Sequence, residues 1–247
     1  MKKLLLFSFV FCLAAGTALS QISFGPKAGF NLSKYAQNYD DSDAEQNLKF
    51  RLGPSIGGVM DLQLLDFLSF QPSVMLSVKG TAENLKEGRP AHPNHEYEGY
   101  NRARVIYIEV PANFAGKMEL GPGTAQVFIG PYVAMAIAGT QRWDYTETRM
   151  DGTKDTYKGD EKIKFRNNVK EEDQNVDGVA AYQKGMDFGF NIGVGYQWNQ
   201  LLFNVGYAMG FVNLQPDYEG ADFDPADFKY SNRSIFFNVA WLFGADN

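Results

Sequence analysis

The stretch Met186-Asp-Phe-Gly-Phe-Asn-Ile-Gly-Val-Gly-Tyr-Gln-Trp198 puts a bulky apolar or aromatic residue at every even position, with Asp187, Gly189, Asn191, Gly193, Gly195 and Gln197 between them. Successive strand side chains point to opposite faces, so this run reads as a β-strand with one greasy face and one polar or nearly empty face. A soluble barrel hides its apolar face, whereas a membrane barrel shows it to lipid. Glycine leaves room inside a narrow barrel and makes a poor water-facing surface. The sign of the pattern is therefore lipid outside.

The same alternation returns on either side of that run. Ile22, Phe24, Pro26, Ala28, Phe30 and Leu32 oppose Ser23, Gly25, Lys27, Gly29, Asn31 and Ser33. Phe50 to Leu62, Leu68 to Val78, Ile106 to Phe114, Val127 to Ile137, Leu201 to Phe211 and Ile235 to Phe243 complete the set. The runs suit strands of roughly 9–11 residues tilted across a bilayer, where closure satisfies every backbone group without water. The predicted fold is all-β, an eight-stranded antiparallel up-and-down transmembrane β-barrel. Short connections at about 63–66, 118–124 and 199–200 alternate with long polar ones at about 34–48, 80–103, 141–184 and 214–231. The usual asymmetry of such barrels places the short turns and both termini in the periplasm and the long loops outside the cell. Tyr196, Trp198, Trp241 and Phe243, with Phe67, read as a periplasmic-side aromatic girdle; Tyr35, Phe50 and Phe211 read as its counterpart. Pro26, Pro54, Pro72, Pro111 and Pro131 fall inside strands, where each removes a ladder donor. Bulges or frayed pairing are expected there, with Pro111 the place for a parity slip after Glu109.

Lys2 and Lys3 precede an apolar run from Leu4 to Ala15, and Ala18-Leu-Ser20 supplies small residues before Gln21. Residues 1–20 read as a cleaved secretory signal, too short for a membrane helix, and 21–247 as a single barrel domain. The only cysteine, Cys12, lies in that signal, so the mature chain has no disulfide or thiol chemistry. The chain carries 23 Lys and Arg against 29 Asp and Glu; losing Lys2 and Lys3 leaves 21 against 29, or −8. That acidity argues against nucleic-acid binding, which needs a basic footprint.

Five segments carry a resemblance: Gly25-Pro-Lys-Ala-Gly-Phe-Asn-Leu-Ser33, Tyr107-Ile-Glu-Val-Pro111, Gly130-Pro-Tyr-Val133, Phe188-Gly-Phe-Asn-Ile-Gly-Val-Gly-Tyr196 and Tyr207-Ala-Met-Gly-Phe-Val-Asn213. In this order they resemble the PorT-like outer-membrane β-barrel family of Bacteroidota, over nearly all of the mature chain. The resemblance implies an eight-stranded barrel of the OmpA and OmpX type in the outer membrane of a Gram-negative cell. The family's namesake takes part in protein secretion, and most members have no assigned activity. The chain departs from a usual barrel ending, since Gly-Ala-Asp-Asn follows Phe243.

Parity aims Lys27, Arg51, Lys79, Glu109, Asp61 and Asp187 into an interior that eight strands leave scarcely wider than its own side chains. Buried charges must be paired, so these residues form either a plug of salt bridges or a gate or proton path. Lys27 and Glu109 are expected at similar depth, pairing directly or through Arg51 or Gln71. Asp173-Gln-Asn175-Val-Asp177-Gly178 matches the first half of a calcium loop, but Lys184 stands where the bidentate acid belongs. A full EF-hand is excluded, which leaves a looser external Ca²⁺ site or a solvated acidic loop; no other cofactor is expected. His92 and His95, with Glu96, flank Pro93 in one loop and could hold a transition metal, although the proline favours a plain turn. No catalytic constellation stands out. The connection at 141–184 holds Arg142, Trp143, Tyr145, Arg149, Tyr157, Phe165, Arg166 and Tyr182, which reads either as a recognition surface or as a solvated hairpin extending the barrel wall.

The expectation is a non-enzymatic outer-membrane barrel whose surface loops bind, adhere or protect, with outer-membrane lipid and an external or secretion-machinery protein as partners. The rivals are a secretion-pathway component or rim enzyme, and a soluble lipocalin-like ligand carrier.

Overall fold

The computed structural model describes residues 22–39, 48–85, 95–173, 179–220 and 228–244, so the signal segment lies outside the described residues. Eight strands, β1 (Ile22–Tyr39), β2 (Arg51–Leu65), β3 (Leu68–Asn84), β4 (His95–Leu120), β5 (Gly123–Arg149), β6 (Met186–Trp198), β7 (Leu201–Gly210) and β8 (Phe228–Trp241), pair antiparallel in chain order. β1 also pairs with β8, from Lys27 opposite Ala240 to Tyr39 opposite Phe228, and so closes the ring. Tight turns at 66–67, 121–122 and 199–200 share one end with the start of β1 and the end of β8; this is the turn end, and the opposite one the loop end. Asn199 takes up a left-handed conformation (φ 52°) in the last of these turns, which the short Asn side chain tolerates.

The wall carries the predicted sign. Ile192 is 53% exposed and Asn191 beside it 2%; Phe24, Ile56, Val74, Val127, Phe188 and Val205 are likewise exposed, while Ser55, Gln71, Asn113, Gln126 and Asn204 are buried. The glycines on the inner parity make room for interior rings that were less legible. A Cβ on Gly189 would stand 2.8 Å from the Tyr132 ring, and one on Gly193 or Gly206 would run into Phe128 or Phe236. Phe128 and Phe236 stack across the lumen with centroids 6.1 Å apart. Val59, Leu202, Ala240 and Leu242 pack together at the turn end.

The prolines interrupt the ladder without moving its register. Pairing of β2 with β3 skips Met60 and Asp61 opposite Gln71 and Pro72, and resumes in the same register. β3 with β4 skips Ser73 and Val74 opposite Val110 and Pro111, and β4 with β5 skips Ala112 and Asn113 opposite Gly130 and Pro131. β1 with β8 skips Gly25 and Pro26, and β2–β3 pairing near the loop end stops just short of Pro54. A strand residue aims its N–H at one neighbour only, so each proline costs pairing on one side and leaves the other intact. The expected parity slip at Pro111 does not occur: Glu109, Pro111 and Asn113 are all buried. The bulges lie elsewhere, between Gln63 and Leu65 beside the first turn, and at Ile106/Tyr107, where β5 carries the extra residue Ile137.

Two further readings are corrected. Tyr35 is inside the barrel, 8% exposed, and not in a lipid-facing girdle; it shares the odd parity of Ser33, which outweighs its aromatic character. The long connections are also shorter than composition suggested, because β3 runs to Asn84, β4 begins at His95 and β5 reaches Arg149. Past the apolar wall both faces of these strands meet polar surroundings, so the alternation that marks a strand in lipid fades while the pairing continues.

Ile192→Lys, on the lipid face near mid-span, should cost roughly 2–4 kcal/mol of folding into bilayers, while Ile192→Leu should be nearly neutral. Urea-titrated refolding into vesicles, read by heat-modifiable gel migration, measures both.

Candidate functional site

Inside the ring, polar side chains from separated strands meet in two tiers. Near the turn end, Lys117 Nζ lies 2.7 Å from Asp61 Oδ2. Gln71 Nε2 donates to the same oxygen (3.0 Å) and to Gln126 Oε1 (2.9 Å), and Gln126 Nε2 donates to Asn204 Oδ1 (2.9 Å). This chain crosses the lumen from β2 to β7. Near the loop end, Asp187 Oδ2 accepts from Tyr132 Oη (3.1 Å) and Asn232 Nδ2 (2.9 Å). Gln183 Nε2 donates to Tyr107 Oη (2.8 Å), while Tyr35 Oη donates to Gln183 Oε1 (3.1 Å).

Between the tiers, Lys79 and Glu109 form a buried ion pair. Lys79 Nζ also stands 4.8 Å from the centre of the Tyr132 ring and within electrostatic reach of Asp187. Lys27 is buried across the lumen and feels the charge of Glu109. Glu109 is thus paired with Lys79 rather than with the expected Lys27. Adjacent strands explain this: Lys79 on β3 reaches along the axis toward the turn end, past Ser77 opposite Tyr107, to β4's Glu109, two residues from Tyr107. Lys27, Lys79 and Glu109 line a cavity of about 20 Å³, room for one water molecule. Arg51 is half-buried at the rim, where its Nη1 donates to Ala103 O at 2.8 Å.

Gln183 comes from the connection between β5 and β6, not from the ring. That connection returns as a strand, Lys154–Phe165, antiparallel to β5, followed by Val179–Gln183 parallel to it. Ile163 and Phe165 fold onto the interior cluster, and Lys184 N donates to Leu214 O (2.8 Å), tying in the next connection. The mouth is therefore covered. Sequence reasoning passed over Gln183, Lys117 and Asn232 because their roles depend on contacts distant in the chain.

Above the mouth, β4, β5 and Lys154–Phe165 form a three-stranded sheet. On the face continuous with the lumen, Tyr145 stacks on Tyr157 (centroids 5.2 Å apart) beside Tyr97 (6.2 Å). Glu147 accepts from both outer hydroxyls, Tyr97 Oη at 3.0 Å and Tyr157 Oη at 3.4 Å. Trp143 covers Gly159, where a Cβ would meet its indole. At the tip, the Thr153 N–H donates to Asp151 Oδ1 (2.9 Å) and holds that carboxyl below the usual range.

Of the calcium-loop residues, Asp173 lies 3.8 Å from Arg166 Nη2, and Asn175 and Asp177 fall outside the described residues. His92 and the side chain of His95 are outside them too. Among the described residues no group of three His, Cys, Asp or Glu is placed to hold a metal ion. Trp198, Trp241 and Phe243 are exposed on the outer wall near the turn end, with Tyr196 half-buried and its Oη donating to Leu120 O (2.9 Å). Phe243 pairs with Phe24 through two backbone hydrogen bonds, so the last paired residue among those described completes the ring seam.

Glu109→Gln should leave both Lys79 and Lys27 uncompensated and cost about 3–5 kcal/mol, whereas Lys79→Met with Glu109→Leu, which strands only Lys27, should be milder. The same vesicle refolding titration compares the single and double variants. In planar bilayers the filled lumen should pass no large steady current.

The sequence profile of the outer membrane protein β-barrel domain matches residues 15–215. A search of curated proteins finds no match. Among solved structures, the chain is similar to the attachment invasion locus protein Ail of Yersinia pestis, at 8% identity and TM-score 0.36, covering 90% of this chain and 98% of that one. Ail in complex with the heparin analogue sucrose octasulfate gives 8% identity and TM-score 0.34, with 90% and 99% covered. Neisserial surface protein A gives 11% identity and TM-score 0.35, with 89% and 97% covered. The match of the profile to most of the chain, on a closed ring of eight strands with its apolar side chains outward, makes this chain a member of the outer membrane protein β-barrel domain family.

Proposed function

We propose that this protein is a non-enzymatic outer-membrane anchor that binds a partner outside the cell through the three-stranded sheet at its loop end. The observation that carries the reading is the aromatic row Tyr97, Tyr145 and Tyr157, fixed by Glu147 on a paired sheet and not on a loose loop. Tyrosine supplies large contact area at low conformational-entropy cost, and strand pairing has already ordered it. Both termini and the tight turns face the periplasm in this reading, after the removal of residues 1–20. A soluble ligand carrier would need the opposite wall and an open cavity. The resemblance of five segments to the PorT-like family supports a second reading, a component of a secretion pathway, in which the same sheet meets secretion machinery.

The mature chain is cysteine-free if cleavage follows Ser20, so single cysteines report sidedness. Met150→Cys, at the exposed hairpin tip, should react with a membrane-impermeant maleimide on intact cells, while Asp66→Cys should react only after lysis. The reverse pattern would overturn the orientation. A photocrosslinker at Tyr157 should capture a discrete external macromolecule, and replacing Tyr97 and Tyr145 by Ser should abolish capture without changing heat-modifiable migration. Turnover of lipid-ester or peptide substrates by the purified barrel would overturn the non-enzymatic reading.

A further inference from the structure

The outer face of the same sheet is basic where it leaves the apolar wall. On β4, Ile108 and Ile106 face outward, and the next two residues on that face toward the loop end are Arg104 and Arg102, both exposed. Register puts Arg102 directly opposite Arg142 and Arg104 opposite Thr140, whose other neighbour is Lys162. Directly opposed side chains start about 5 Å apart at Cβ, where like charges destabilise the pairing. Arg51 adds a fourth strand's charge: its guanidinium feels those of Arg104 and Arg102. Acids on this face balance only part of the group. Asp144 is taken by Lys158 at 2.9 Å, and Asp160 stands opposite Arg142; among the described residues, neither Arg102, Arg104, Arg142 nor Lys162 makes an ion pair. In a chain of net charge −6, such a cluster is local and not a general feature. The Arg102 guanidinium carbon stands over Tyr100, 3.9 Å from the ring centre, an arrangement suited to the headgroup level, where aromatic rings collect.

We infer that Arg102, Arg104 and Arg142 form a binding site for the phosphate groups of an outer-leaflet lipid. The site is continuous with the lipid-facing wall, so a lipid whose chains lie along Ile106 and Ile108 carries its phosphates to the guanidiniums. Arginine forks accept phosphate oxygens in pairs, and a doubly charged group between Arg102 and Arg142 removes their mutual repulsion. The leaflet assignment rests on the orientation proposed above.

The test uses the mature barrel in uncharged detergent with three probes: lipid A bearing its phosphates, dephosphorylated lipid A, and inorganic phosphate. Native mass spectrometry reads the lipid retained per barrel and its apparent Kd. Phosphorylated lipid A should bind at least tenfold more weakly to R102Q/R104Q/R142Q than to the parent protein, and R102K/R104K/R142K should recover most of the loss. Dephosphorylated lipid should bind parent and Gln variant alike. These side chains are exposed, so heat-modifiable migration of all variants should be unchanged; a Gln variant that fails to fold is replaced by R104Q alone, expected to lose threefold or more. Equal affinity of parent and Gln variant for phosphorylated lipid A overturns the site. Inorganic phosphate binding as tightly as the lipid overturns the lipid assignment in favour of a soluble anion. Labelling of Met150→Cys only after lysis would refute the orientation while leaving the phosphate affinity standing, which separates the two claims.

Discussion

An eight-stranded ring encloses so little space that its interior side chains must satisfy one another, and most of this structure follows from that. Lys27, Lys79 and Lys117 share the lumen with Asp61, Glu109 and Asp187. All but Lys27, which only feels the charge of Glu109, are held by neighbours on other strands, so the polar interior helps to fix the wall's register. The cost of desolvating these groups is met only when all are in place. The same narrowness accounts for Gly189, Gly193 and Gly206, which stand where the rings of Tyr132, Phe128 and Phe236 need the space.

The cover over the mouth extends that logic. Gln183 enters the interior hydrogen-bonded chain from a connection, and Ile163 and Phe165 bring apolar area with it. The connection is thereby part of the barrel's packing, and it holds upright the three-stranded sheet whose two faces differ so sharply. Tyrosines fill the face toward the lumen axis, and arginines the face toward the membrane. One sheet can in this way meet a macromolecule with one side while the other follows the lipid headgroups.

The wall was legible because lipid imposes a two-residue period on every strand that crosses it. Ile192, Phe24 and Val205 announce their side without any knowledge of their partners. Tyr35 carries two conflicting signals, an aromatic character that points to the girdle and a parity that points inward, and parity decides. The pairing of Glu109 was misassigned because the reach of Lys79 along the barrel axis is a matter of register, and alternation within a single strand carries no information about register. Beyond the membrane the pattern is silent: Tyr97, Arg102 and Arg142 lie on strands whose two faces are both polar, so only pairing reveals which of them share a face.

The prolines carry a mechanical meaning. The skipped pairs at Pro72, Pro111 and Pro131 fall on three successive seams and join end to end, because Pro72 pairs with Ala112, which lies opposite Pro131. Pro26, opposite Gly58, lies near the same level. The wall therefore has a girdle with fewer rungs, running across the strands and not along one of them. Above it the cylinder is braced by the Asp187 tier, while Asp61 and Gln71, themselves a skipped pair, are joined through their side chains instead. The seams from β5 through β8 stay fully paired at this level, so the softer sector lies on the β2 to β5 side, where a bound partner or the bilayer would distort the cross-section first.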